Sequence, residues 1–177
     1  MKRWATIGLV LFLALIGIYV GSPYYAVYSL RNAALDGDVD ALEAKVDFPA
    51  VRESLKSQLS AAMMAKMQND PEMQNNPFAG LGMMMMPAIV DRMVEAYVTA
   101  DGIGAMVRGR KPKDTDKSGV NPDIATESEY LGLDRFRLRT RNTKSGEVGP
   151  SFVLERTGFL SWKMTRLEIP TEILQDR

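Results

Sequence analysis

After Met-Lys-Arg the chain runs from Trp4 to Gly21 as "WATIGLVLFLALIGIYVG", with Thr6 as its only conventionally polar side chain. As a helix, 18 residues rise about 27 Å, close to the ~30 Å hydrocarbon core of a bilayer. The segment therefore reads as a transmembrane helix that enters the membrane through residues 4–21. Trp4, Tyr19, Tyr24 and Tyr25 fall at the two interfaces, and Lys2 and Arg3 favour the cytosolic side. The rest of the chain is then expected on the far side. A cleaved signal peptide shares the charged start and the apolar run, but its cleavage needs small residues. Tyr19 and Val20 precede Gly21, and a cut after Ser22 would place Pro23 beside the scissile bond. No Cys follows for lipidation, so the expectation is an uncleaved signal-anchor.

The absence of His and Cys narrows the chemistry. Without them there is no Ser-His-Asp or Cys-His nucleophile system, no disulfide, and none of the common zinc ligand sets. Catalysis would fall to Asp, Glu or Tyr with a bound water, and no residue is singled out as catalytic. No cofactor and no metal site are expected. Lys+Arg and Asp+Glu both total 22, so no net field draws the molecule to nucleic acid.

Four stretches organise the chain: the anchor 1–21, a helical half 22–108 with a methionine-rich loop at 68–86, an exposed connection 109–127, and a strand half 128–177. Ser22-Pro23 has the form of an N-cap and first helical residue, so a new helix is expected to begin there and to stop at Asp36-Gly37-Asp38. Asp38 then caps "VDALEAKV", and Asp47 caps a helix with Pro49 in its first turn. In that helix Val51, Leu55, Leu59, Met63 and Met67 recur every four residues as one buried stripe. A further helix is expected from Pro87, with Ile89, Val90, Met93, Val94, Tyr97 and Val98 on one side, followed by a short turn capped by Asp101.

The period then changes from helical to two. In "DRFRLRTR" Phe136, Leu138 and Thr140 alternate with Arg135, Arg137, Arg139 and Arg141, as in a half-buried strand. "SFVLERTGFLSWKM" reads as a hairpin across Thr157-Gly158, with Leu160, Trp162 and Met164 facing inward and a bulge near "TRLEIP". The expected class is α+β: an N-terminal transmembrane helix, then helices packed on one face of a curved antiparallel meander.

The run "SPYYAVYSLRNAALDGDVDALEAKVDFPAVRESLKSQL", together with the late "GFLSWKMTRLEIP", resembles a bacterial family catalogued as a domain of unknown function, number 2939. Pro23-Tyr24-Tyr25, Val46-Asp47-Phe48-Pro49 and Trp162-Lys163 carry that resemblance, and the methionine-rich stretch looks like an insertion. The resemblance implies a membrane-anchored protein of the bacterial inner membrane, single-pass, with its C-terminal domain in the periplasm. It supplies no activity. The order of helices and strands is similar, more loosely, to cone-shaped NTF2-like and cystatin-like folds, an analogy of fold alone.

Three features are candidates for binding. On the cone analogy, Tyr97, Tyr130, Phe136, Leu138 and Trp162 would line a pocket for a small apolar ligand, or else fill a core. Arg135, Arg137, Arg139 and Arg141 form a rail that could meet anions, or a solvated face paired with Glu155 and Glu168. Met83, Met84, Met85 and Met86 point around a full helical turn. They read as apolar packing or a patch for a partner rather than a convergent Cu(I) site, although thioethers do select Cu(I). Asp91 and Glu95 share the polar face with Arg92 and read as surface residues. The functional expectation is a non-enzymatic module that binds an envelope protein or small ligand. The alternatives are an enzyme of NTF2-like fold and a Met-rich Cu(I)-binding envelope protein.

Overall fold

A computed structural model describes residues 2–69, 79–108 and 123–170. Five helices precede four strands among these residues: α1 Lys2–Asp36, α2 Val39–Lys45, α3 Phe48–Asn69, α4 Ala79–Tyr97, α5 Ala100–Val107, then β1 Ile124–Gly132, β2 Arg135–Asn142, β3 Val148–Arg156 and β4 Trp162–Glu168. The strands form one antiparallel sheet in the order β1-β2-β3-β4. The α+β class and the meander are as the periodicity predicts. A strand not separately anticipated, β1, precedes the arginine-bearing one and starts at Ile124. The basic stretch 109–122 lies outside the described residues.

Ser22-Pro23 does not start a helix; α1 is continuous through Pro23. An internal proline has no N–H for the carbonyl four residues back. Here the Ser22 hydroxyl donates to that Tyr19 carbonyl at 2.8 Å, which repairs the ladder locally. The helix ends where Gly37 adopts a positive φ of 67° and Asp38 N–H returns to the Ala33 carbonyl, a glycine-terminated C-cap. The Asp38 and Asp47 carboxylates accept from Ala41 N–H at 2.9 Å and Ala50 N–H at 3.1 Å, as expected of N-caps. The cap of α5 is Thr99, whose hydroxyl oxygen accepts from Gly102 N–H at 3.1 Å, and Asp101 instead lies in the first turn.

The helices cover the inner face of the sheet. Strand register puts Tyr130, Phe136, Leu154 and Met164 in one inward row and Ser128, Leu138, Phe152 and Leu167 in the next. A bulge at Thr165 shifts β4 by one residue, so that Met164 and Leu167 both face inward. Against these rows pack Leu30 and Ala34 of α1, Leu42 of α2, Val51 and Leu55 of α3, and Ile103 of α5. Arg108, a charged residue at the end of the helical half, is buried and donates to the Ala34 carbonyl near the negative end of α1.

Strand β4 lies at one edge of the sheet, and α3 occupies that edge. Asp47 N–H donates to the Met164 carbonyl at 2.8 Å. The Gln58 amide then donates to the Leu167 carbonyl at 2.7 Å and accepts from Ile169 N–H at 3.0 Å, as a neighbouring strand would. Gln58→Ala should cost about 1–3 kcal/mol by leaving both backbone groups without this partner. Amide hydrogen exchange at Ile169 should accelerate in the variant, and unchanged protection there would contradict this role.

Candidate functional site

A densely connected polar group lies where α1 meets the sheet. Ser22, already donating to Tyr19, accepts from Trp162 Nε1–H at 2.8 Å and from Arg156 Nη1 at 3.2 Å. One donor and two acceptor positions are thereby all in use. Arg156 directly faces Trp162 across β3 and β4. Its guanidinium lies 3.8 Å from the ring centre of Tyr19 and 4.2 Å from that of Trp162. The same fork donates to the Phe159 carbonyl at 2.7 Å and the Leu133 carbonyl at 3.3 Å, with the Asp134 carboxylate 3.2 Å from Nε. Both hairpin loops at this end of the sheet are thus tied to the final turn of the apolar run within α1. Tyr130 adds a second tie by donating its hydroxyl to the Val20 carbonyl. Desolvation raises the Tyr130 phenol above its ordinary pKa.

Of the five residues considered for a ligand pocket, Phe136 and Trp162 are buried in an aromatic stack. Phe136 meets Tyr24 and Tyr130 with centroids 4.9 Å apart in each case, and Trp162 at 6.5 Å, all edge-on. Leu138 lines a small cavity of about 130 Å³ with Val27, Leu30, Arg31, Ile124 and Phe152. Ligand pockets commonly hold about 300–1,000 Å³, so this one suits a few waters better than a metabolite. Tyr97 ends α4, a helix packed on α3, and does not line that cavity. A wider open groove of about 820 Å³ runs between α3 and β4. Two of its carboxylates already have structural work: Asp47 caps α3 and Glu168 pairs with Arg137.

The arginine rail is on the outer face. Arg137 lies between Glu129 at 3.0 Å and Glu168 at 3.2 Å, and Arg139 reaches Glu129 at 2.7 Å. Arg135 is opposite Glu155 in the ladder, while Arg141 donates to the Gly146 carbonyl at 3.3 Å. Cross-strand acids therefore answer most of the row, with Glu129 of the unanticipated strand β1 as its centre. Asp91 pairs with Lys56 at 2.8 Å between α4 and α3, a hydrogen bond that raises the lysine's pKa.

Comparison with known sequences adds a family. The model described as "Protein of unknown function (DUF2939)" matches residues 12–106, more than half of the 177-residue chain. The chain belongs to this family. The match begins inside the apolar part of α1 and ends in α5, so the DUF2939 region joins the second half of the apolar segment to all the helices that cover the sheet. Trp162-Lys163 and the rest of the sheet fall outside it. No curated protein and no solved structure matches the chain.

Inside the DUF2939 region the methionine run is helical. Pro87 lies within α4 and Met83–Met86 form its preceding turn, where a loop was expected. Methionine has high helix propensity, and the carbonyl freed by Pro87 belongs to the exposed residue Met83, within reach of water. α4 carries two apolar stripes at four-residue spacing. Met86, Val90 and Val94 face the core; Leu81, Met85, Ile89 and Met93 are exposed. Ile89 and Met93 are therefore not on the buried side to which the sequence pattern assigns them.

Proposed function

We propose that the protein is a single-pass membrane-anchored interaction module that displays its α+β body outside the cytosol and offers the outer stripe of α4 to a protein partner. The observation that carries the anchor is the character of α1. It is long and apolar enough to span a membrane, and only 6% of its most apolar 18-residue window is buried. A soluble core helix of that composition would be covered. Lys2 and Arg3 at its start favour an internal N-terminus.

The interaction role is supported by the row of Leu81, Met85, Ile89 and Met93, exposed at four-residue spacing along α4. Unbranched thioethers adapt to a partner's contour, and a row at helical spacing suits a complementary groove or helix. Cysteine replacement is clean because the chain has none of its own. Lys144→Cys, at the sheet end opposite the apolar run of α1, should react with a membrane-impermeant maleimide in intact cells. The protein should also stay with membranes through alkaline extraction. Labelling only after lysis would reverse the orientation, and release by alkali would remove the anchor. A photo-crosslinker at Met85 should give a discrete heterologous adduct that Ile89→Asp abolishes; adduct formation unaffected by the charge would reject the α4 face.

A further inference from the structure

We propose that the two hairpin tips beside α1, Leu133 between β1 and β2 and Phe159-Leu160 between β3 and β4, enter the lipid leaflet that the helix crosses and seat the domain on the bilayer. The inference rests on the reading of α1 as a membrane span. In a four-stranded meander the first and third turns share one end of the sheet and the second turn takes the other. The two ends differ in chemistry. At the α1 end Leu133 is 78% exposed, Phe159 65% and Leu160 44%. Thr157–Ser161 carries no formal charge, and Asp134 is turned toward Arg156. At the opposite end the turn reads Asn-Thr-Lys-Ser-Gly-Glu; its Asn142 side chain accepts from Lys144 and Ser145 N–H groups, and Lys144 pairs with Asp123.

Height is set by direct contacts. The Phe159 ring lies 5.4 Å from that of Tyr19, and the Tyr130 hydroxyl reaches the Val20 carbonyl, both in the final turn of the apolar run. The tips are therefore level with the helix surface that lipid would cover, and continuous with it. Loops rarely enter hydrocarbon because their peptide groups lack partners there. Here Arg156 takes the Leu133 and Phe159 carbonyls, while Thr157 and Gly158 N–H groups donate to the Ser161 carbonyl. The outward apolar side chains are Leu133, Phe159 and Leu160, and the one charge beside them, the Asp134 carboxylate, is paired with Arg156. Exposed apolar residues grouped at one end and continuous with a membrane span mark lipid as their cover.

Full-length protein in vesicles of phosphatidylethanolamine and phosphatidylglycerol tests this with one nitroxide-labelled cysteine per variant: Leu11→Cys, Leu133→Cys, Phe159→Cys and Ser145→Cys. Collision with oxygen, which concentrates in lipid, is compared with collision with a water-soluble nickel complex. Labels at 133 and 159 should lie about 5–10 Å below the lipid phosphates. The label at 145 should be aqueous and that at 11 deep in hydrocarbon. Labels at 133 and 159 as aqueous as 145, with 11 still in lipid, would overturn the seating and leave the anchor intact. An aqueous label at 11 would remove the anchor and the seating together. Labels at 133 and 159 shielded from both reagents and broadened by mutual spin coupling would show a second copy covering the tips, and would also overturn it.

Discussion

Trp162→Ala should destabilise the domain by about 3–5 kcal/mol, a range typical of truncating a buried aromatic residue. The side chain is 6% exposed, and three different interactions meet on it. Its edge packs against Phe136, its face carries the Arg156 guanidinium, and its N–H goes to Ser22. Truncation opens a cavity and strips the guanidinium of one of its two aromatic walls. Trp162→Phe keeps much of the volume but deletes the donor, so its cost should be smaller, about 1–2 kcal/mol. Urea titration of the full-length protein in detergent, read by brief proteolysis at each concentration, measures both variants. Native stabilities are about 5–15 kcal/mol, so the alanine variant should be cleaved in far less denaturant. Equal losses for the two variants would show that the hydrogen bond, not the packed ring, fixes this corner.

Much of this corner is legible in the sequence, and what is hidden has a physical reason. Phe136, Trp162 and Met164 are identifiable as inward because a strand alternates sides residue by residue. The same parity carried one step further along β3, from Phe152 and Leu154, places Arg156 inward as well. A charged residue at an inward position is the signal that could have found the clamp. Ser22-Pro23 misleads because the dipeptide is locally as good a helix start as it is a tolerated interior pair. Only the tertiary partners Trp162 and Arg156, 140 and 134 residues away, show which applies. Gly82 to Met86 misleads similarly: the bias of a pre-proline residue away from helix is a preference, and a methionine-rich turn overrides it.

The outer surface was harder to read. Period-two alternation identifies the arginine face but not its partners, since Glu129 lies on a strand whose segment "IATESEYLG" has few apolar residues to mark a buried side. The apolar side of α4 is broader than the surface it buries. Periodicity therefore finds the side but cannot divide Val90 and Val94 from Ile89 and Met93; the packing against α3 makes that division.

Arg156→Ala should cost about 2–4 kcal/mol, while Asp134→Ala should stay within about 0.5 kcal/mol, although the two form one ion pair. The asymmetry follows from burial. The Asp134 side chain is 69% exposed and recovers water when its partner is lost, whereas that of Arg156 is 7% exposed and stacked between two rings. Deleting the guanidinium leaves the Leu133 and Phe159 carbonyls without this donor and removes the stacked group that links both hairpin loops to Tyr19. Deleting the carboxylate leaves every one of those bonds in place. Arg156→Lys should recover only part of the loss, because an ammonium can neither lie flat between Tyr19 and Trp162 nor span two carbonyls from a planar fork. The same denaturant titration ranks the three variants. If Asp134→Ala proved as costly as Arg156→Ala, charge pairing rather than stacking and carbonyl capture would be what joins helix to sheet. A nitroxide at position 159 separates these accounts further: its depth should scatter in Arg156→Ala and hold in Asp134→Ala, since of the two side chains the arginine is the one that bonds to that tip and to the helix.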